Sequence, residues 1–177
     1  STLIAAIRSI AAYVAVSSYV AIAAPIGMAL ALTFRWKSLL YVLGHGGVAI
    51  GTALAGIRIR VAGREHMRDG ETVVFCSNHQ SNIDPPILFQ ALHPRLHVLF
   101  KRELTKLPLL GKAFQIGGFV PIDRGSREQS MAAIEQAAAS LRHGNSFLTF
   151  PEGTRSRTGA LLPFKRGPFL MALKAQV

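Results

Sequence analysis

Cysteine is nearly absent: Cys76 is the only one in 177 residues. That excludes a disulfide framework and a zinc site built from several thiolates. Charge is scarce as well, at 16% of residues, where a soluble domain carries about a quarter. Acidic residues are the scarcest, with 9 Asp and Glu against 20 Lys and Arg, a net charge of +11. Aromatics make up 8% and sit mostly in apolar runs, which argues against a base-stacking groove for single-stranded nucleic acid. There is no phosphate-binding glycine loop, because Gly111-Lys112 is followed by Ala113 and lacks the upstream glycine spacing. No internal repeat or low-complexity linker is present. Apolar residues, by contrast, make up 50%, enough to form a core and to exclude disorder. A chain both apolar and basic suits an anionic membrane surface at least as readily as nucleic acid.

The scarcity of charge is local. Residues 1–57 contain Arg8, Arg35 and Lys37 and no acidic residue, so 58–177 hold all the other charges. Ser9 to Phe34 is a run of 26 residues without a charged side chain, and Ser38 to Ile57 a run of 20 with His45 its only imidazole. As helices these would extend roughly 39 and 30 Å, enough for a bilayer core of about 30 Å. Arg35-Trp36-Lys37 between them is a cationic, aromatic cluster suited to a headgroup interface. Three readings fit. The first is a two-helix membrane hairpin or interfacial anchor over 1–57. The second is a signal peptide with Arg8 in its n-region and a cleavage site at Ala21-Ile22-Ala23, against which the second apolar run argues. The third is a pair of buried core helices, against which the lack of a polar face argues. Gly47 and Gly51 have the small-xxx-small spacing of close helix packing, but a merely glycine-rich apolar helix explains them equally.

Residues 58–177 alternate strand and helix signals, which implies an α/β domain, a mixed sheet flanked by helices. Strands are expected at Ile57–Val61, where Ile and Val alternate with Arg58 and Arg60, and at Thr72–Cys76, His97–Phe100, Phe119–Ile122 and Ser146–Phe150. Helices are expected over Pro85–Leu92, from Ser126 to Arg142, and from Phe169. Ser126 with Gln129 forms a capping-box start, and Gly144 follows the helix end.

Two loops after expected strands carry chemistry. In the first, Asp84-Pro85 reads as an N-cap and first helical residue, so His79 to Asp84 is a loop that can fold the carboxylate back onto the imidazole. A carboxylate on one ring nitrogen fixes the tautomer and leaves the other nitrogen as a general base. The spacing alone leaves a second reading equally open, in which Asp84 caps the helix and His79 packs beside it. In the second loop, Glu152-Gly153-Thr154-Arg155 combines backbone N–H groups, a hydroxyl and a guanidinium fork, which together suit a phosphate. Arg124 and Lys165 add positive charge in two further loops. His93 and His97 flank Pro94, which spoils a helical metal pair, and Ser81 lacks the glycines of a nucleophile elbow.

Four ordered motifs resemble those of the glycerolipid acyltransferases, most closely the 1-acyl-sn-glycerol-3-phosphate acyltransferases. They are Asn78-His79-Gln80-Ser81-x-x-Asp84, Gly118-Phe119-Val120-Pro121-Ile122-Asp123-Arg124, Phe150-Pro151-Glu152-Gly153-Thr154-Arg155 and Pro163-Phe164-Lys165-Arg166-Gly167. The likeness covers about residues 72–174, and the apolar N-terminus is similar to the family's membrane-binding helices. It implies acyl transfer from acyl-CoA or acyl-acyl carrier protein to the sn-2 hydroxyl of lysophosphatidic acid, giving phosphatidic acid. It further implies His79 as general base oriented by Asp84, and Gly153, Thr154, Arg155 and Arg124 as the acceptor phosphate site. Glu152 would brace the loop, and Lys101 and Lys165 would contact donor or acceptor phosphates. No metal or bound cofactor is expected. The expected partners are the anionic membrane surface, the lysophospholipid and the acyl donor, not nucleic acid. The expected location is a membrane, the bacterial inner membrane, with the domain on the cytosolic face. Another lysolipid acceptor and a non-enzymatic anionic-lipid-binding module are the alternatives. The family's domain continues past the fourth motif, so the chain reads as a domain cut short at Val177.

Overall fold

The computed structural model describes residues 2–67, 70–92, 95–123 and 125–177. Two long helices come first, α1 (Thr2–Thr33) and α2 (Lys37–Ala55). They are followed by β1 (Val74–Cys76), α3 (Asp84–Ala91), β2 (His97–Lys101), α4 (Leu110–Ile116), β3 (Val120–Ile122), α5 (Arg127–Arg142), β4 (Phe147–Thr149) and α6 (Gly167–Ala175). The four strands lie in the order β1-β4-β2-β3, and every pairing is parallel. The α/β layering matches the expectation from sequence, and the sheet is more uniform than the mixed one expected. Ile57–Val61 forms no strand. Its side chains do alternate between half-buried and exposed as far as Arg60, so the pattern records a segment lying on the domain without a ladder partner.

The sheet is covered on both faces, and β4 shows how. Phe147 belongs to a cluster with Val120, Ile134, Leu141 and Met171 under α5 and α6. Leu148, the next residue, belongs to a cluster with Tyr41, Phe89, Leu96 and Val98 under α2 and α3. Successive residues of a strand point to opposite faces, and a parallel strand buried on both reads as a continuous apolar run. α5 starts as its sequence indicates, with the Ser126 hydroxyl accepting from Gln129 N at 3.3 Å.

α1 and α2 form an antiparallel hairpin whose close approach depends on missing side chains. A Cβ added at Gly46 would stand 2.8 Å from the Tyr19 hydroxyl, at Gly47 3.2 Å from the Tyr19 ring and at Gly51 3.0 Å from Val16. The small-xxx-small pair therefore does face a helix. Both helices are long and apolar enough to cross a membrane, yet only 11% and 17% of their apolar windows are buried. Core helices would be mostly buried, so that reading fails. Leu3, Ile10, Tyr13, Ile22 and Leu32 project outward.

The other side of α2 is part of the domain. The Tyr41 hydroxyl donates to Gly117 O at 2.7 Å, buried, and the ring stacks on Phe89. His45 stacks on Phe89 at 4.4 Å and reaches Gln90 Oε1 at 2.9 Å. His97 lies in the same aromatic group, against Tyr41, Phe119 and Phe147. Burial, aided by the Lys37 charge, pushes its pKa down to about 4, so it is a neutral packed ring at pH 7.

Candidate active site

The pairing of β1 with β4 sets Cys76 opposite Thr149. The loops that follow continue this alignment off the carboxyl end of the sheet, where ligand sites of α/β folds collect. Ser77 N donates to Thr149 O at 3.1 Å. Two residues on, His79 N donates to Glu152 Oε1 at 2.8 Å. Ser156 N then donates back to His79 O at 2.7 Å. Two motifs 73 residues apart in sequence are thus laced into one platform.

His79 faces Asp84, with Nδ1 2.9 Å from Oδ2. The same oxygen accepts from Gln80 N and Ser81 N, each at 2.7 Å. Partial burial works to raise the Asp84 pKa. The hydrogen bonds from Ser81, His79 and Gln80 outweigh it and hold the carboxyl below its usual range. An ionised carboxylate can only accept, so Nδ1 carries a proton, and in the neutral ring the lone pair is on Nε2. Nothing among the described residues hydrogen-bonds Nε2. The ring lies against Phe150, centroids 4.1 Å apart, which sets its plane.

Asp84 does not cap α3, contrary to the Asp-Pro reading. The N-cap is Ile83, and Asp84 is the first helical residue. Its carboxylate turns back to the preceding loop, where two backbone N–H groups and the imidazole outbid the helix N-terminus. Ser81 Oγ accepts from Ile83 N at 3.3 Å, which occupies that hydroxyl within its own turn.

Glu152 is 2% exposed. Its Oε1 takes His79 N and its Oε2 takes Leu162 N at 2.9 Å, so it ties the loop before α3 to two points of the loop between β4 and α6, and both of its oxygens are occupied by backbone. Gly153 has φ +70°, and an added Cβ would stand 2.7 Å from Lys165 Cε. That position needs glycine for its backbone conformation and for the lysine laid across it. Thr154 and Arg155 line an open cleft with Gln80, Ser156 and Arg157. A second cleft, lined by Ser77, Asn78, Gln80, Asp84, Ile87 and Leu88, opens beside the imidazole loop. Lys101 ends β2 at the same edge of the sheet, but its Nζ is paired with Glu103 at 3.1 Å. Arg124 and His93 lie outside the described residues. Among those described, no three His, Cys, Asp or Glu side chains gather into a metal site.

The structure thus brings together His79, Asp84, Glu152, Gly153, Thr154, Arg155 and Lys165, and sets Lys101 apart in an ion pair. Sequence reasoning missed Phe150 as the plate under His79, Gln80 as the side chain common to both clefts, and Arg157. Only Arg157 had a visible signal, a second arginine two residues after the first.

Glu152 gives a test of the platform. In Glu152→Ala two N–H groups lose their acceptor, about 1–3 kcal/mol for each that stays buried. The melting temperature should fall by several degrees, and any surviving activity should fall through turnover. Unaltered melting in calorimetry would contradict the bracing.

A family model described as Acyltransferase matches residues 58–177. The chain is 37% identical over 125 residues to 1-acyl-sn-glycerol-3-phosphate acyltransferase alpha of Homo sapiens, covering 70% of this chain and 44% of that protein. It is 32% identical over 136 residues to the 1-acyl-sn-glycerol-3-phosphate acyltransferase of Borreliella burgdorferi, covering 77% of this chain and 54% of that one. The chain therefore spans about half the length of the curated relatives it matches. The fold is similar to the crystal structure of a 1-acyl-sn-glycerophosphate acyltransferase from Thermotoga maritima, with a TM-score of 0.79 and 23% identity over 96% of this chain and 69% of that one. The family match takes in both laced loops and more than half of the sequence, and on it rests the assignment: the chain belongs to the acyltransferase family.

Proposed function

We propose that this protein transfers a fatty acyl group from a thioester, acyl-CoA or acyl-acyl carrier protein, to the sn-2 hydroxyl of lysophosphatidic acid. The observation that carries the reading is a bare imidazole Nε2 held on one platform with a cleft lined by guanidinium groups. The relatives' names supply the acceptor. Nε2 takes the proton of the hydroxyl as its oxygen attacks the thioester carbonyl carbon. The tetrahedral intermediate collapses with cleavage of the C–S bond, and the imidazolium returns its proton to the departing thiolate. Asp84 holds the ring and offsets the charge that forms on it. Arg155, Thr154 and the Gly153 turn grip the acceptor phosphate, with Lys165 laid over the turn and Arg124 helping from its own loop. A substrate hydroxyl is the nucleophile, so no acyl-enzyme forms.

The outward apolar faces of α1 and α2 support a bilayer-bound protein, with the cationic domain held against anionic headgroups. Acyl donors are cytosolic, which supports a catalytic domain on that side.

A thioester-release assay with lysophosphatidic acid in mixed micelles tests the reading. Wild-type protein should release thiol only when the lysolipid is present. Arg155→Ala should raise the acceptor KM about 10–100-fold, the usual worth of a charge-assisted hydrogen bond, with a smaller effect on kcat. An unchanged KM would remove Arg155 from the phosphate site. Absence of thiol release would leave a lipid-binding module.

A further inference from the structure

The phosphate grip described above leaves one cation of its own cleft, Arg157, without a role. Arg157 lies two residues beyond Arg155, and both line one open cleft of about 300 Å³ with Gln80, Thr154 and Ser156. Ser156 between them is buried. Its N–H donates to His79 O at 2.7 Å and its hydroxyl accepts from Gly159 N at 3.1 Å. Pinning the middle residue inward turns its two neighbours outward to the same cleft. It also ties both guanidinium groups to the residue that carries the imidazole. Lys101, Arg102 and Lys174 are spent in ion pairs. Arg155 and Arg157 have neither an ion pair nor a hydrogen bond among the described residues. The two carboxylates of the platform are committed elsewhere: Glu152 is buried and takes His79 N and Leu162 N, and Asp84 takes Gln80 N, Ser81 N and His79 Nδ1.

Two unpaired forks on one cleft exceed what a phosphodiester can satisfy. A diester carries one negative charge and two free oxygens, which a single guanidinium takes bidentately. A phosphomonoester carries about −1.5 to −2 at pH 7 and offers a third oxygen. We propose that Arg157 is a specificity-determining residue that selects a phosphomonoester acceptor over a phosphodiester one, by binding the third oxygen and the second charge. This rests on the acyl-transfer reading and adds to it the residue that tells a monoester headgroup from a diester one.

The test uses the full chain in mixed micelles and two unreactive competitors of lysophosphatidic acid acylation, dodecyl phosphate and methyl dodecyl phosphate. Wild-type protein should bind the monoester about tenfold or more tightly than the diester. Its monoester inhibition should strengthen between pH 5 and 7, as the second phosphate ionisation, near pH 6, completes. In Arg157→Ala monoester inhibition should weaken roughly 10–100-fold and diester inhibition by less than about threefold. The gain between pH 5 and 7 should vanish. Arg157→Lys keeps the charge without the fork, so it should retain the pH gain and part of the affinity. Arg157 is exposed, so Arg157→Ala should melt with the wild-type protein, and its inhibition constants are read on a folded variant. Equal weakening, no weakening or a persisting pH gain in Arg157→Ala would overturn the inference while acylation by wild-type protein keeps the reading above. Wild-type protein that does not acylate lysophosphatidic acid would overturn both.

Discussion

His79→Ala should lower kcat by at least about 10²–10⁴, the usual worth of a positioned general base, while the protein stays folded. The second half of this expectation follows from how residue 79 is held. Its N–H donates to Glu152 and its carbonyl accepts from Ser156, and both bonds belong to the backbone. The alanine variant keeps the lacing of the two loops and loses the ring, its bond to Asp84 and its stack on Phe150. An aromatic contact of this kind is worth about 0.5–1.5 kcal/mol beyond its area, too little to unfold a domain with two packed core clusters. Acceptor and donor Michaelis constants should move little, because the cleft lined by Arg155 and Arg157 is anchored on backbone. Thermal unfolding in detergent and steady-state thiol release on the same preparation separate the two effects. A folded variant with near-wild-type turnover would remove His79 as the base. His79→Gln, which fills similar space and can still donate toward Asp84, should be about as inactive, since its amide has no basic lone pair.

How far the sequence reveals such a site depends on the range of the interaction. The His79–Asp84 contact is local, five residues apart, and the loop before a proline-marked helix made it legible. The acid was nevertheless misread as a cap, because Asp before Pro signals a helix start whether or not the carboxylate serves the helix. Glu152 was legible as a brace once the resemblance implied a phosphate site beside it, since a carboxylate there would repel the ligand. Its partners were not, because they depend on β1 lying next to β4, and strand order leaves no mark in an apolar run of three to five residues. The same limit explains the Ile57–Val61 strand. Alternation records which side faces the protein, and a ladder also needs a free neighbouring edge. The apolar runs of α1 and α2 gave the hairpin plainly. That Tyr41, inside the second run, reaches the core and bonds Gly117 76 residues away was not legible, because long-range packing has no local period.

Asp84→Asn should lower kcat by about 10²–10³ with little change in stability, and the reason lies in the three donors that converge on one oxygen. Gln80 N, Ser81 N and His79 Nδ1 all point at Oδ2. In the asparagine variant the two backbone N–H groups select the amide oxygen for that position, since an NH₂ group there would face two donors. Nδ1–H therefore keeps an acceptor and the ring keeps its tautomer. What is lost is the negative charge that offsets the imidazolium formed in the reaction. Its removal should thus leave the ring in place but its cation without a counter-charge, and lower kcat with little effect on either Michaelis constant. Asp84→Ala should differ in kind: the two N–H groups lose their acceptor, the loop loosens, and the melting temperature falls along with kcat. A folded Asp84→Asn with near-wild-type kcat would show that the carboxylate positions the loop without offsetting charge on the ring.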